Sequence, residues 1–202
     1  MKALNKIVIV VLSMLCIVIS VSAQITDQDE MIKRRAAEKV AQMNDYISFM
    51  ASKKKSLDTR KYYKTKALNL FFGKGYSYEE NGIEKDGVMM EITSVNRKSV
   101  SHKLIRIYFD NLINLKYTDV QITSTEIANI KVSNLQQIDE DLYVCTCQYD
   151  QAFVGFRDGR PVYKDITTKR IKCYVKAEDT EDGTEYIIML GDVTALETKR
   201  MI

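Results

Sequence analysis

The stretch YVCTCQYD, Tyr143 to Asp150, sets Cys145 and Cys147 two residues apart in a run of strand-forming residues. Thiols at that spacing could bind a metal, form a disulfide, run redox chemistry or fill a core. On an extended strand, residues i and i+2 share a face with Cβ atoms about 6.5–7 Å apart. A disulfide needs Cβ atoms about 3.8 Å apart, so the two do not bond to each other. A tetrahedral zinc site, with zinc–sulfur bonds of about 2.3 Å, needs its sulfurs closer than a flat strand holds them. The other ligand candidates are Cys173 and the single histidine, His102. No metal and no other cofactor is expected.

Cys173 lies in RIKCYVK, where Ile171, Cys173 and Val175 share a face. It is joined to the first pair across the turn RDGR. A three-residue loop, Arg157-Asp158-Gly159, sets Cys145 opposite Ile171 with Cys173 as its diagonal neighbour. The alternative register sets Cys145 opposite Cys173 and admits a cross-strand disulfide, which an exported protein permits. The reading adopted is the three-residue loop, with buried free thiols that act as small hydrophobes.

Acid–base chemistry would have to come from carboxylates and tyrosines. The chain has twelve tyrosines, and Asp150, Asp165 and Asp192 fall within strand-like runs. Asp150 is read as facing away from Tyr149, and Asp165 as facing away from Tyr163. The apolar pattern of the strands breaks at QYDQ and KDITTK, as the mouth of a pocket requires. Tyr63, Tyr108, Tyr149, Asp150 and Asp165 are the candidate ligand-binding residues, and no catalytic residue is assigned. His102 is placed in the first turn of a helix, where an exposed or capping role is usual. No phosphate-cradling glycine loop, metal motif or nucleophile elbow is present. A basic corner, with Lys53, Lys54, Lys55, Arg60, Lys61, Lys64 and Lys66 against Asp58, is read as a solvated surface that borders no pocket.

The N-terminus carries Lys2 and Lys6, an apolar run from Ile7 to Val21, and the small residues Ser22 and Ala23. These are the parts of a secretory signal peptide, too short to span a bilayer, which needs about 20 apolar residues. Cleavage is expected after Ala23, which exports the protein to the periplasm or the exterior of a bacterium. Residues 24–202 then form one domain without a transmembrane helix. Removing two lysines lowers the formal charge from +3 to +1. That balance excludes nucleic acid as a partner on global charge.

Positioning elements follow from periodicity. Ile32, Ala36, Val40, Met43, Ile47 and Met50 recur at steps of three and four, one apolar stripe along a helix. A second helix begins near Asp58 and buries Tyr63, Ala67, Leu70 and Phe71. VMMEITSV alternates as a strand. A third helix follows NRKSVS and turns Leu104, Tyr108, Asn111 or Leu112, and Leu115 to one face. Four long strand-like runs follow, at 118–133, 142–157, 162–177 and 185–197, with Asp158-Gly159 and Asp182-Gly183 as hairpin signals.

Helices first and a meander of strands last make an α+β domain: three helices packed on a strongly curved antiparallel sheet of five or six strands. Element order and lengths over residues 26–198 resemble the ketosteroid-isomerase-like superfamily, also called nuclear-transport-factor-two-like. That resemblance implies a cone with a pocket at its open end. It also implies, for the enzymes among its members, acid–base chemistry on a buried carboxyl and tyrosines. The family's catalytic aspartate–tyrosine and histidine–aspartate patterns find no match here. The function expected is therefore non-catalytic: an exported module holding a small apolar ligand, a peptide or an envelope-protein partner, with a homodimer through the sheet admitted. The alternatives are a small acid–base enzyme of isomerase or dehydratase type and a self-associating envelope protein. An enzyme would reveal itself by a buried carboxylate within hydrogen-bond reach of a tyrosine, facing an apolar cavity.

Overall fold

The computed structural model describes residues 2–80, 82–181 and 183–201, with side chains from residue 27 onward apart from residue 98. The expected signal segment 1–23 and its expected cleavage site lie outside the residues whose side chains are described. Among those residues no helix is long and apolar enough to cross a membrane.

Helix α1 (Lys2–Ala51) buries the whole stripe Ile32, Ala36, Val40, Met43, Ile47 and Met50, as its spacing predicts. Helix α2 (Leu57–Leu68) is capped by Ser56, whose Oγ accepts from the Thr59 amide at 3.1 Å. Asp58, near which the helix is expected to begin, sits in the first turn, where its charge favours the positive helix end. Helix α3 (Ile105–Ile113) starts later than its periodicity suggests and buries Ile105, Phe109, Leu112 and Ile113. His102 consequently belongs to a strand rather than a helix turn. The NRKSVS segment pairs as a hairpin, which satisfies its backbone in the ladder, and the Ile105 amide then donates to Val88 O at 2.8 Å.

Ten strands are described: β1 (Tyr78–Glu80), β2 (Ile83–Lys85), β3 (Met89–Ser94), β4 (Arg97–Leu104), β5 (Asp119–Ser124), β6 (Lys131–Val132), β7 (Gln136–Gln137), β8 (Leu142–Arg157), β9 (Arg160–Thr180) and β10 (Gly183–Arg200). β1 and β2 form a separate hairpin. The other eight make one sheet in the order β4-β3-β10-β9-β8-β5, with β6 and β7 also on β8. The α+β class and the three helices match expectation, but the sheet has eight strands rather than five or six. The run 118–133 splits into β5 and the short β6, and NRKSVS adds β4.

β10 meets β3 in parallel through a single pair, Val193 beside Met90. A single bridging pair leaves backbone amides to satisfy, and two carboxylates do so. Asp192 Oδ1 accepts from the Met89 amide at 2.7 Å and Glu91 Oε2 from the Ala195 amide at 2.9 Å. Asp192 is thus structural. The register of β10 against β9 shifts twice, at Leu190/Val193 and Ala195/Glu197, and bulges of this kind bend a sheet.

The turn between β8 and β9 corrects the expected register. Asp158 (φ 52°) and Gly159 (φ 76°) form a two-residue loop with both central residues left-handed, the geometry that continues the strand twist. That loop pairs Arg157 with Arg160, and an irregularity between Gly155 and Phe156 shifts the register by one further residue, so Cys145 faces Cys173 and not Ile171. Cys145, Cys147 and Cys173 are free thiols, all buried, and the Sγ atoms of Cys147 and Cys173 lie 3.7 Å apart. Hydrogen bonding to the neighbouring thiols, together with burial, pushes the Cys173 thiol up. Alkylating reagents should leave all three unmodified in the folded protein and label all three after denaturation. Mass-spectrometric labelling checks this, and native-state modification of any of them would refute the core assignment.

Two bases of the corner at 53–66 cap another helix. Lys53 Nζ and Arg60 both donate to Ile113 O at 2.8 Å, at the C-terminal end of α3, where the helix leaves carbonyls unpaired.

Candidate active site

The inner face of β9 is read by parity. Tyr163, Asp165, Thr167, Lys169, Ile171, Cys173 and Val175 alternate with outward residues. The last three are core. The first four meet helix α3, the β3–β4 hairpin and the end of β8 around a cavity of about 390 Å³, within the usual size range of small-molecule sites. Its apolar walls come from Ile92, Tyr108, Leu112, Leu115, Tyr117 and Phe153. Tyr117 closes one side because Gly155 carries no Cβ: one there would stand 2.6 Å from the tyrosine ring.

Asp165 is 5% exposed, and Tyr163 Oη donates to its Oδ2. The sequence reading that set these two on opposite faces is wrong, since residues two apart in an extended strand share a face. Ser94 lies at 2.7 Å on the other side of the Tyr163 hydroxyl, and Phe153 packs edge-on against the Tyr163 ring at 5.7 Å. Burial raises the Asp165 carboxyl above its ordinary range; the Tyr163 bond and the Lys169 charge oppose this without cancelling it. Burial and the bond to Asp165 push Tyr163 up to about 12, and burial alone puts Tyr108 at about 12. Both phenols therefore stay protonated and can act as donors at neutral pH.

Lys169 is 6% exposed. Its Nζ touches Met90 Sδ at 3.8 Å and lies 5.7 Å from the centre of the Tyr108 ring. Among the described residues no carboxylate comes within ion-pair distance of it. Burial lowers its ammonium to about 8, against the pull of Asp165. Arg97 and Lys103 line the cavity further out.

The candidates named from sequence separate cleanly. Tyr108 and Asp165 line the cavity. Tyr149 does not border it: the ring is core, 2% exposed, and its hydroxyl has no hydrogen-bond partner among the described residues. Asp150 is exposed on the opposite face, where it accepts from Thr168 Oγ1 at 2.6 Å. Tyr63 stacks between Tyr46 and Phe49 on the helical side, with ring centres at 5.7 Å and 4.6 Å. Tyr163 and Lys169 were missed. The signal that could have found them is the period of two, since both share parity with Asp165 and the Cys173 core face. Among the described residues no group of three or more His, Cys, Asp or Glu side chains is arranged to hold a metal. None of the basic corner lines the cavity.

No protein-family model and no curated protein sequence matches the chain. Solved structures are similar in outline. One is a hexachlorocyclohexane dehydrochlorinase from Novosphingobium barchaimii, at 10% identity and TM-score 0.41 over 87% of this chain and 94% of its own. Another, from Novosphingobium aromaticivorans, bears the name scytalone dehydratase, at 9% identity and TM-score 0.40 over 87% and 92%. A third, protein Kfla4162 from Kribbella flavida, has 13% identity and TM-score 0.41 over 85% and 95%. At such similarity no residue role transfers, and the chemistry has to be read from the cavity. The fold itself, helices on a bent sheet with a cavity at one end, is similar to the ketosteroid-isomerase-like cone.

That cavity overturns the expectation of a non-catalytic binding module. It holds the buried carboxylate, the tyrosine bonded to it and the apolar space that the enzyme reading required. The leaning away from an enzyme is withdrawn with it.

Proposed function

We propose that the protein is a small acid–base enzyme of isomerase or dehydratase type. One observation carries this: Asp165, nearly inaccessible to solvent and anchored by Tyr163, faces an apolar cavity of about 390 Å³. A desolvated carboxylate is a stronger base than a solvated one. Tyr163 occupies Oδ2, leaving Oδ1 to take a proton from a substrate C–H. The proton then returns to another carbon in an isomerisation, or accompanies a departing group in an elimination. Tyr108, protonated and at the cavity wall, is a donor for an oxygen of the substrate. The cavity's size and walls favour a compact, mostly apolar molecule.

Proton abstraction has a direct readout. A panel of small cyclic and aromatic ketones incubated in deuterium oxide should gain deuterium next to the carbonyl faster with the protein than in buffer. Exchange no faster than buffer across the panel, or equal exchange by the Asp165→Asn variant, would defeat the proposal.

Export belongs to the same proposal and is supported by Lys2, Lys6, the apolar run and the small residues ending at Ala23. N-terminal sequencing of the natively produced protein should begin at Gln24. A mature chain that begins at Met1 or Cys16 would contradict it.

A further inference from the structure

Asp165 and the two phenols account for proton transfer, but they leave Lys169 without a task. A buried ammonium with no carboxylate in ion-pair distance among the described residues is unfavourable, and an apolar contact with Met90 and a ring 5.7 Å away offset little of that. An aliphatic side chain would fill the same space at lower cost. The position is nonetheless directed at the cavity: Lys169 lines it together with Asp165, Thr167 and Tyr108.

We propose that Lys169 is a carbonyl-reactive amine, whose Nζ forms an imine with an aldehyde or ketone seated in the cavity. This rests on the reading of the cavity as an active site and adds the substrate class. The Nζ lone pair adds to the carbonyl carbon, and the C=O π pair moves to oxygen, which takes up a proton. That oxygen leaves as water as the nitrogen gives up its remaining protons, so a C=N bond replaces C=O, nothing is oxidised or reduced, and the imine nitrogen then takes up one proton from water. A protonated imine withdraws electrons from the adjacent carbon more strongly than the carbonyl did, which acidifies the C–H that Asp165 would take. Burial supports the amine's reactivity by lowering its ammonium to about 8, so that a sizeable fraction is free base near neutral pH. Arg97 and Lys103, also along the cavity wall, suit a carbonyl compound that carries an anionic group.

The test is trapping. The full chain is incubated with benzaldehyde, or with 4-carboxybenzaldehyde, and reduced with borohydride, which converts an imine into a stable secondary amine. The expected product gains the mass of the aldehyde less one oxygen, on the peptide containing Lys169. That site should be modified about tenfold faster or more than exposed lysines, given its larger free-base fraction. The carboxylated aldehyde should label faster than benzaldehyde. Lys169→Met should lose the rapid adduct while keeping its circular dichroism spectrum. Modification spread over surface lysines, with Lys169 untouched in the wild-type chain, would overturn the inference. Asp165→Asn separates the two claims. An adduct at Lys169 that persists in this variant supports the amine, even if deuterium exchange turns out not to depend on Asp165 and the acid–base reading falls.

Discussion

Replacing Asp165 by Asn is expected to lower deuterium exchange by about 10²–10⁴-fold, the contribution of a positioned general base. The substitution keeps size and shape and still presents an oxygen to Tyr163, so the loss would report the base and not the cavity. Stability should move the other way. Burial raises the Asp165 carboxyl in the folded state. A raised carboxyl binds its proton more tightly folded than unfolded, so what it contributes to stability is present below the unfolded value and lost as pH rises through the folded one. At neutral pH the ionised form is therefore a burden that the amide removes. Asp165→Asn should unfold in urea at the same or a higher midpoint than wild type at pH 7 while losing exchange. Lost exchange with an equally lowered urea midpoint would mean that Asp165 is structural. In the wild type, exchange should fall on acidification at a pH above that of an ordinary carboxylate.

Lys169→Met is expected to stabilise the protein by about 2–4 kcal/mol at pH 7. The ammonium falls from an ordinary 10.5 to about 8 on folding, and each unit is worth about 1.4 kcal/mol. The sign follows from proton binding. Below about 8 both states hold the proton and the folded state bears the full desolvation penalty. Between about 8 and 10.5 only the unfolded state is protonated, so wild-type stability rises with pH. The advantage of the methionine variant should therefore be constant below pH 8 and shrink towards zero near pH 10.5. Urea titrations of both proteins at pH 7, 9 and 10.5 check it. An advantage unchanged at pH 10.5 would trace the effect to packing and not to the buried charge. A residue that destabilises the fold yet lines the cavity is the pattern expected where function opposes stability.

Local periodicity by itself determined the helical stripe from Ile32 to Met50, the strand character of residues 142–157 and 162–177, and the core role of Cys145, Cys147 and Cys173. Each depends only on which residues must leave water along a period of 3.6 or 2, and that is written in neighbouring positions. The same period, applied to Tyr163 and Asp165, was enough to put them on one face, and Lys169 with them. What it could not supply is the turn geometry at Asp158-Gly159, because a loop of two or of three residues accepts the same dipeptide. That choice, together with the register shift between Gly155 and Phe156, set Cys145 opposite Cys173. Nor could local pattern tell Asp165, buried, from Asp150, solvated, since both sit in polar breaks of amphipathic strands. Only tertiary structure decided it. Helix α3, the β3–β4 hairpin and Tyr117 over Gly155 close around one end of the sheet and take Asp165 and Lys169 out of water, and burial is what changes their chemistry.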